Sequence, residues 1–197
     1  MEDLRIQKTR KALKQALVRL LSEKSFEKIS VTDICKESGI SRITFYTHYD
    51  HKFDLAQEIF SDYIQSGRTM FQLKKNNQKL YPNTSEDIQN CLIYLDCFVE
   101  LIIANPQFFS PIFTEDNPYL LSMMTSLLLD SVERFSKKQE LSFKLKFSPR
   151  QIAGFIIYGV AGFAKESSSA GKDIKTIESD VKRLLVDMLD KSIFYEK

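Results

Sequence analysis

Apolar positions near the start of the chain recur three and four residues apart. Leu4, Ile6, Leu13, Leu17, Leu20 and Leu21, with Ala12 and Ala16, form one stripe across residues 5–21, which predicts an amphipathic helix. The linker at 25–28 follows, and Phe26 with Ile29 is expected to plug a small core behind it. Ser30 and Asp33 have the S-x-x-D spacing of a capping box, so a second, short helix is predicted over 30–39, with Val31, Ile34 and Cys35 turned inward. Gly39-Ile40-Ser41 makes a three-residue turn with a glycine where the chain must change direction. Ser41 is the expected N-cap of a third helix. There Ile43 and Phe45 are available as anchors, while Arg42, Thr44, Tyr46, Thr47 and His48 fall on the solvent side. Helix, tight turn and exposed helix in this order read as a helix-turn-helix.

Longer helical patterns fill the rest. Asp50 is the expected cap of a fourth helix from 51 to about 73, whose buried side carries Phe53, Leu55, Ala56, Ile59, Phe60, Tyr63 and Ile64. Polar residues at 74–79 break the pattern, and 81–85 reads as a loop. A fifth helix over 85–104 stops at Asn105-Pro106, where proline forbids continuation. A short phenylalanine-rich piece at 107–113 comes next. Asn117-Pro118 and Ser148-Pro149 then place proline in the first turn of two more helices, ending near 138 and 168. The second of these is apolar nearly all round and is expected to be buried on more than one side. Its Gly154, Gly159 and Gly162 each cost roughly 1 kcal/mol against alanine unless another helix packs closely. A last helix is predicted from 174 to about 195. No segment has the alternation of an amphipathic strand except Phe143, Leu145 and Phe147, which lie between helices and are read as loop. The fold class is therefore all-α, with about nine helices: a three-helix head at 1–50 and a larger helical body at 51–197.

Composition narrows the function classes. With 43% hydrophobic and 27% charged residues in 197, the chain belongs with ordinary globular proteins. The first stretch is charged throughout, unlike a signal peptide, and a cytoplasmic location is expected. Cys35, Cys91 and Cys97 form an odd set without CxxC spacing and are read as reduced and buried. Residues 1–52 hold eleven Lys and Arg against seven Asp and Glu, and the remainder holds seventeen against nineteen, so the basicity sits in the head. Arg5, Lys8, Arg10, Lys11 and Lys14 share one face of the first helix, either as a solvated surface or as contacts for a phosphate backbone. Ser41 and the free N–H groups that follow it stand at a helix end that favours a phosphate. His48 and His51 lie three apart, but no carboxylate or cysteine completes a ligand set, so no metal and no cofactor are expected. Without G-x-S-x-G, P-loop or H-E-x-x-H, an enzyme is not expected either.

The run T-D-I-x-x-x-x-G-I-S at 32–41, then T-F-Y-x-H-Y-x-x-K at 44–52, then a hydrophobic fourth helix, resembles the N-terminal domain of the TetR family of bacterial transcriptional regulators. The resemblance covers residues 5–60. It implies that Arg42, Ile43, Thr44 and Thr47 lie near base edges, and that Tyr46, His48 and Lys52 lie on phosphates. Chemistry agrees, since arginine bonds guanine O6 and N7 bidentately and the Thr44 methyl can meet that of thymine. Thr32 is a further phosphate candidate, and Phe45 and Tyr49 are assigned to the core. The family implies a homodimer on a palindromic double-stranded operator, most often a repressor released by a small-molecule effector. The body would then serve effector binding and dimerisation. Tyr94, Phe98, Phe109, Phe113, Met123, Met124, Phe155 and Tyr158 are candidates to line an effector cavity, and Gly159, Gly162, Phe163, Leu185 and Met188 to form the dimer interface. Two alternatives stand beside this reading. One is a DNA-bound scaffold or activator working through a protein partner without an effector; the other is a small helical enzyme whose head matches by chance.

Overall fold

The computed structural model describes residues 4–76, 86–114, 116–139 and 147–190. Among these the backbone forms nine α-helices and one 3₁₀ turn, and no strand. In chain order they are α1 (Leu4–Leu21), the 3₁₀ turn (Phe26–Lys28), α2 (Val31–Ser38), α3 (Arg42–Tyr46), α4 (Lys52–Asn76), α5 (Glu86–Ala104), α6 (Pro106–Ile112), α7 (Pro118–Gln139), α8 (Pro149–Ser169) and α9 (Ile174–Asp190). The expected loops at 81–85 and 143–146, and the end of the last helix beyond 190, lie outside the described residues. Two compact units divide the helices: Met1–Asp62 with Asn105–Met124, and Tyr63–Ala104 with Thr125–Lys197. Helices α4 and α7 contribute residues to both.

In the first unit the stripe on α1 is buried at Leu13, Ala16, Leu17, Leu20 and Leu21, and α1 packs on α2 and α6. The capping box forms as its spacing predicts. Ser30 Oγ accepts from the Asp33 N–H at 3.1 Å, and Asp33 Oδ2 accepts from the Ser30 N–H at 2.8 Å. Gly39 closes α2 at φ 70°, a left-handed conformation that costs other residues a clash between Cβ and the following carbonyl. Ser41 Oγ accepts from the Thr44 N–H at 3.1 Å and so caps α3. At α4 the expected cap is displaced by one residue. The His51 N–H donates to Asp54 Oδ2 at 2.7 Å, so the acid inside the first turn reaches back and the carboxylate of Asp50 is not used for this.

Phe26 is the plug that the sequence suggests, and residues far along the chain hold it. Its ring meets Phe53 edge-on at 5.3 Å and lies parallel to Tyr119 at 6.2 Å. Its N–H donates to Oδ1 of the buried Asn117 at 2.6 Å, while Asn117 Nδ2 donates to the Pro111 carbonyl at 2.9 Å. Asn117 therefore opens α7 and also satisfies a buried donor of the head.

The second unit is built on Phe71, Ile93, Tyr94 and Cys97, with Met70, Phe98 and Val132 packed against them. Gly67 lets α4 and α5 approach: a Cβ there would sit 3.2 Å from Leu101 and 3.3 Å from Phe98. Asp96 is buried between two ammonium groups, Lys74 at 2.7 Å and Lys182 at 2.8 Å, which joins α4, α5 and α9. Burial alone would raise the Asp96 pKa, but Lys182 and Lys74 outweigh it and hold the carboxyl below its ordinary range. Helix α8 departs from expectation. Ile156 is buried, yet Phe155 is 65% and Tyr158 59% exposed, and a Cβ on Gly159 or Gly162 would meet nothing within 4 Å. Within one chain, then, a face of α8 stays open.

Candidate nucleic-acid interface

Helix α3 is one and a half turns long, so its orientation depends on what pins it. Phe45 is fully buried and Tyr49 nearly so, with ring centroids 5.6 Å apart, and these two hold the helix from below. Tyr49 is held in turn by α1 and α4, since its hydroxyl accepts from Arg10 Nε at 3.4 Å and Arg10 also pairs with Glu58. Burial, the larger influence, pushes the Tyr49 hydroxyl up to about 12, so it stays protonated at neutral pH.

The opposite side of α3 is open. Ile43 is 82% exposed, the reverse of the anchoring role that its hydrophobicity suggests. Arg42 is exposed beside it, and among the described residues it has no hydrogen-bond partner. Tyr46 is half exposed, its ring edge-on to Phe45 at 5.5 Å. Thr47, Ser41 and Thr32 are exposed and His48 is half-buried against Tyr49. Two hydroxyls on this face are already engaged: Thr44 Oγ1 lies 2.9 Å from Ser41 Oγ, and Thr47 Oγ1 donates to the Thr44 carbonyl at 2.7 Å.

Lys52 needs correction. Its Nζ donates to the carbonyls of Phe26 at 2.7 Å, Glu27 at 3.1 Å and Ile29 at 2.7 Å, and it sits 4.6 Å from the centroid of the Phe26 ring. An ammonium has three hydrogens, and all three have acceptors inside the head. Lys52 thus closes the 3₁₀ turn and is not presented to a phosphate. On α1 the cations divide in the same way. Lys14 pairs with Glu58 and Asp62, and Arg19 with Glu37, whereas Lys8 and Lys11 are exposed without an ion pair among the described residues. Lys28 and Lys36 are exposed likewise. The sequence singled out neither; only the charge balance of the head registered them.

The eight effector-cavity candidates are divided between the two units, and in the second the Tyr94 and Phe98 rings meet edge-on at 5.0 Å. Phe155 and Tyr158 face solvent; Phe109 and Met124 are buried in the first unit and Tyr94 in the second, where its hydroxyl is 2.7 Å from Ser131 Oγ. Phe113, Met123 and Phe98 are half-buried. A cavity of about 430 Å³ in the first unit is lined by residues 21–25 and by Pro106, Gln107, Ser110, Pro111 and others up to Asn117, none of them among the eight. Of the interface candidates, Gly159 and Gly162 are exposed and Phe163 and Met188 half-buried, but Leu185 is buried within its own unit and its neighbour Leu184 faces outward. Among the described residues no three potential ligands gather around a metal position, and no helix is long and apolar enough to cross a membrane.

Comparison with known proteins bears on the head first. Residues 14–59 match the family of bacterial regulatory proteins, tetR family. A 56-residue segment, 28% of this chain, is 43% identical to the uncharacterized HTH-type transcriptional regulator YxbF of Bacillus subtilis (strain 168), of which it covers 15%. Over the whole length the likeness is one of fold. A structure from Syntrophomonas wolfei, described as a TetR-family transcriptional regulator, superimposes with TM-score 0.69 at 15% identity, covering 94% of this chain and 97% of that one. Lin0861 from Listeria innocua gives TM-score 0.60 at 27% identity, with 93% and 94% covered.

Proposed function

We propose that this chain, which belongs to the TetR family of bacterial regulatory proteins, represses transcription as a homodimer on a palindromic operator and is released by a small molecule. The observation that carries the reading is the open face of α3, where Arg42 and Ile43 project from a helix pinned underneath by Phe45 and Tyr49. Residues 1–50 form the DNA-binding domain on this reading, and 51–197 bind effector and partner. Arg42, Ile43, Thr44 and Thr47 meet base edges; Thr32, Ser41, Tyr46 and His48 position the backbone, with Lys8, Lys11, Lys28 and Lys36 available to neutralise phosphates.

One short helix reads few base pairs, so a two-fold arrangement is the natural route to specificity. The open face of α8 supports it: Phe155, Tyr158, Gly159 and Gly162 together offer an apolar, close-packing surface that a second copy would cover. An effector bound among the body helices would shift α4, a single unbroken helix of 25 residues, and with it the spacing of the paired recognition helices. Selection of bound fragments from a random DNA pool, with and without candidate effectors, tests the reading. Enrichment of inverted repeats is expected; a pool that stays random after several rounds at moderate salt sinks it.

A further inference from the structure

The chemistry of the α3 face goes further than the general statement that it reads bases. A side chain can meet a base edge as donor, as acceptor or as an apolar surface. Thr47 has turned its one hydroxyl hydrogen back to the Thr44 carbonyl at 2.7 Å, which leaves its γ-methyl at another staggered position away from that bond. The Thr44 hydroxyl is engaged with the cap at Ser41, 2.9 Å away. On the same short helix, one residue before Thr44, stands Ile43, the most exposed of the large hydrophobic side chains among the described residues. Arg42 alone brings a charged donor fork.

Pressing Ile43 and two threonine methyls against a groove of donors and acceptors would strip water from those groups and return nothing. The major groove has one apolar feature, the C5-methyl of thymine. We propose that this face selects half-sites in which a guanine, bonded by Arg42, adjoins thymines recognised through their methyl groups by Ile43 with Thr44 and Thr47. The inference rests on the DNA-binding reading above and deepens it: specificity comes from methyl contact more than from hydrogen bonds by the threonines.

The test takes the selected operator and replaces each thymidine in turn by deoxyuridine, which removes the methyl and nothing else. At one or more positions per half-site, affinity should fall about fourfold, the factor that ~0.8 kcal/mol for one buried methyl corresponds to. Ile43→Ala should lower affinity and erase the thymine-uracil difference at the position it covers, while thermal unfolding is unchanged because the side chain stands outside the core. Thr47→Ser, which keeps the hydroxyl and loses the methyl, should erase the thymine-uracil difference at the position that Thr47 covers. If an operator with every thymidine replaced binds at full strength, methyl recognition is overturned while DNA binding stands. If Ile43→Ala retains the whole uracil difference, the assignment to Ile43 is overturned. If no DNA is selectively retained at all, the DNA-binding reading itself falls, and this inference with it.

Discussion

Replacing Lys52 by methionine separates two roles for one ammonium. Methionine keeps most of the aliphatic stem beside Phe26 and Phe53 but removes the three donors and the charge. Two of the acceptors, the carbonyls of Phe26 and Ile29, belong to fully buried residues, so water reaches them poorly once the ammonium is gone. The third, Glu27, is exposed and can be rehydrated. The Phe26 carbonyl keeps the Ile29 N–H at 3.1 Å, so the Ile29 carbonyl is the one left without its donor, at a cost of about 1–3 kcal/mol. Losing the cation above the Phe26 ring removes roughly 0.5–1 kcal/mol more. Against this, burial already lowers the pKa of Lys52, a sign that its charged form is partly desolvated, and the substitution relieves that strain. The net expectation is a loss of about 2 kcal/mol, read as a lower denaturant midpoint at unchanged slope. DNA affinity, measured where both proteins are folded, should keep its dependence on salt. Unchanged stability with a log K against log[salt] slope shallower by about 1 would show that Lys52 reaches a phosphate after all, and would refute the reasoning.

Gly39→Ala should destabilise the protein by about 1–2 kcal/mol in chemical denaturation, because the added Cβ meets no neighbour and the whole cost lies in the left-handed backbone; Gly39→Asn should recover part of it. Asp96→Asn should cost about 3 kcal/mol, the low end for breaking a buried pair, since Lys74 retains Glu100 and Lys182 retains Glu178. The Asp96 carboxyl is lowered from 3.8 in the folded chain, so its contribution is complete above pH 3.8 and lost as pH falls toward the folded value; the Asn variant should show a flatter acid limb in a pH series of unfolding curves. Phe155→Glu should shift sedimentation toward monomer and weaken operator binding, with monomer stability little changed because the side chain is exposed; a variant that remains fully dimeric would remove the open face of α8 from the interface.

The helices were legible because their signals are local. The Ser30–Asp33 box, the glycine at 39, the serine at 41 and the prolines at 106, 118 and 149 mark termini through contacts within four residues. The outward face of α3 was legible for the same reason, apart from Ile43, whose hydrophobicity favoured the core. The surroundings of Lys52 were not legible, because nothing in its neighbourhood reveals the three carbonyls, 23 to 26 positions earlier, that accept from its ammonium. The body was less legible still. Aromatic side chains at helical spacing look alike whether they fill a core, as Tyr94 does, or stand in solvent, as Phe155 does, and the register of α9 separates Leu184 from Leu185 by one residue.

The bond between Phe26 and Asn117 joins positions 91 residues apart and has a consequence for the newborn chain. At synthesis rates of about 5–20 residues per second, Phe26 leaves the ribosome roughly 5 to 20 s before Asn117 does. Until Asn117 and Tyr119 arrive, the Phe26 N–H lacks its acceptor and one face of the ring lies open. The DNA-reading part of the molecule thus matures only after more than half of the chain has been translated, and a fragment cut after α3 would carry that unfinished state permanently.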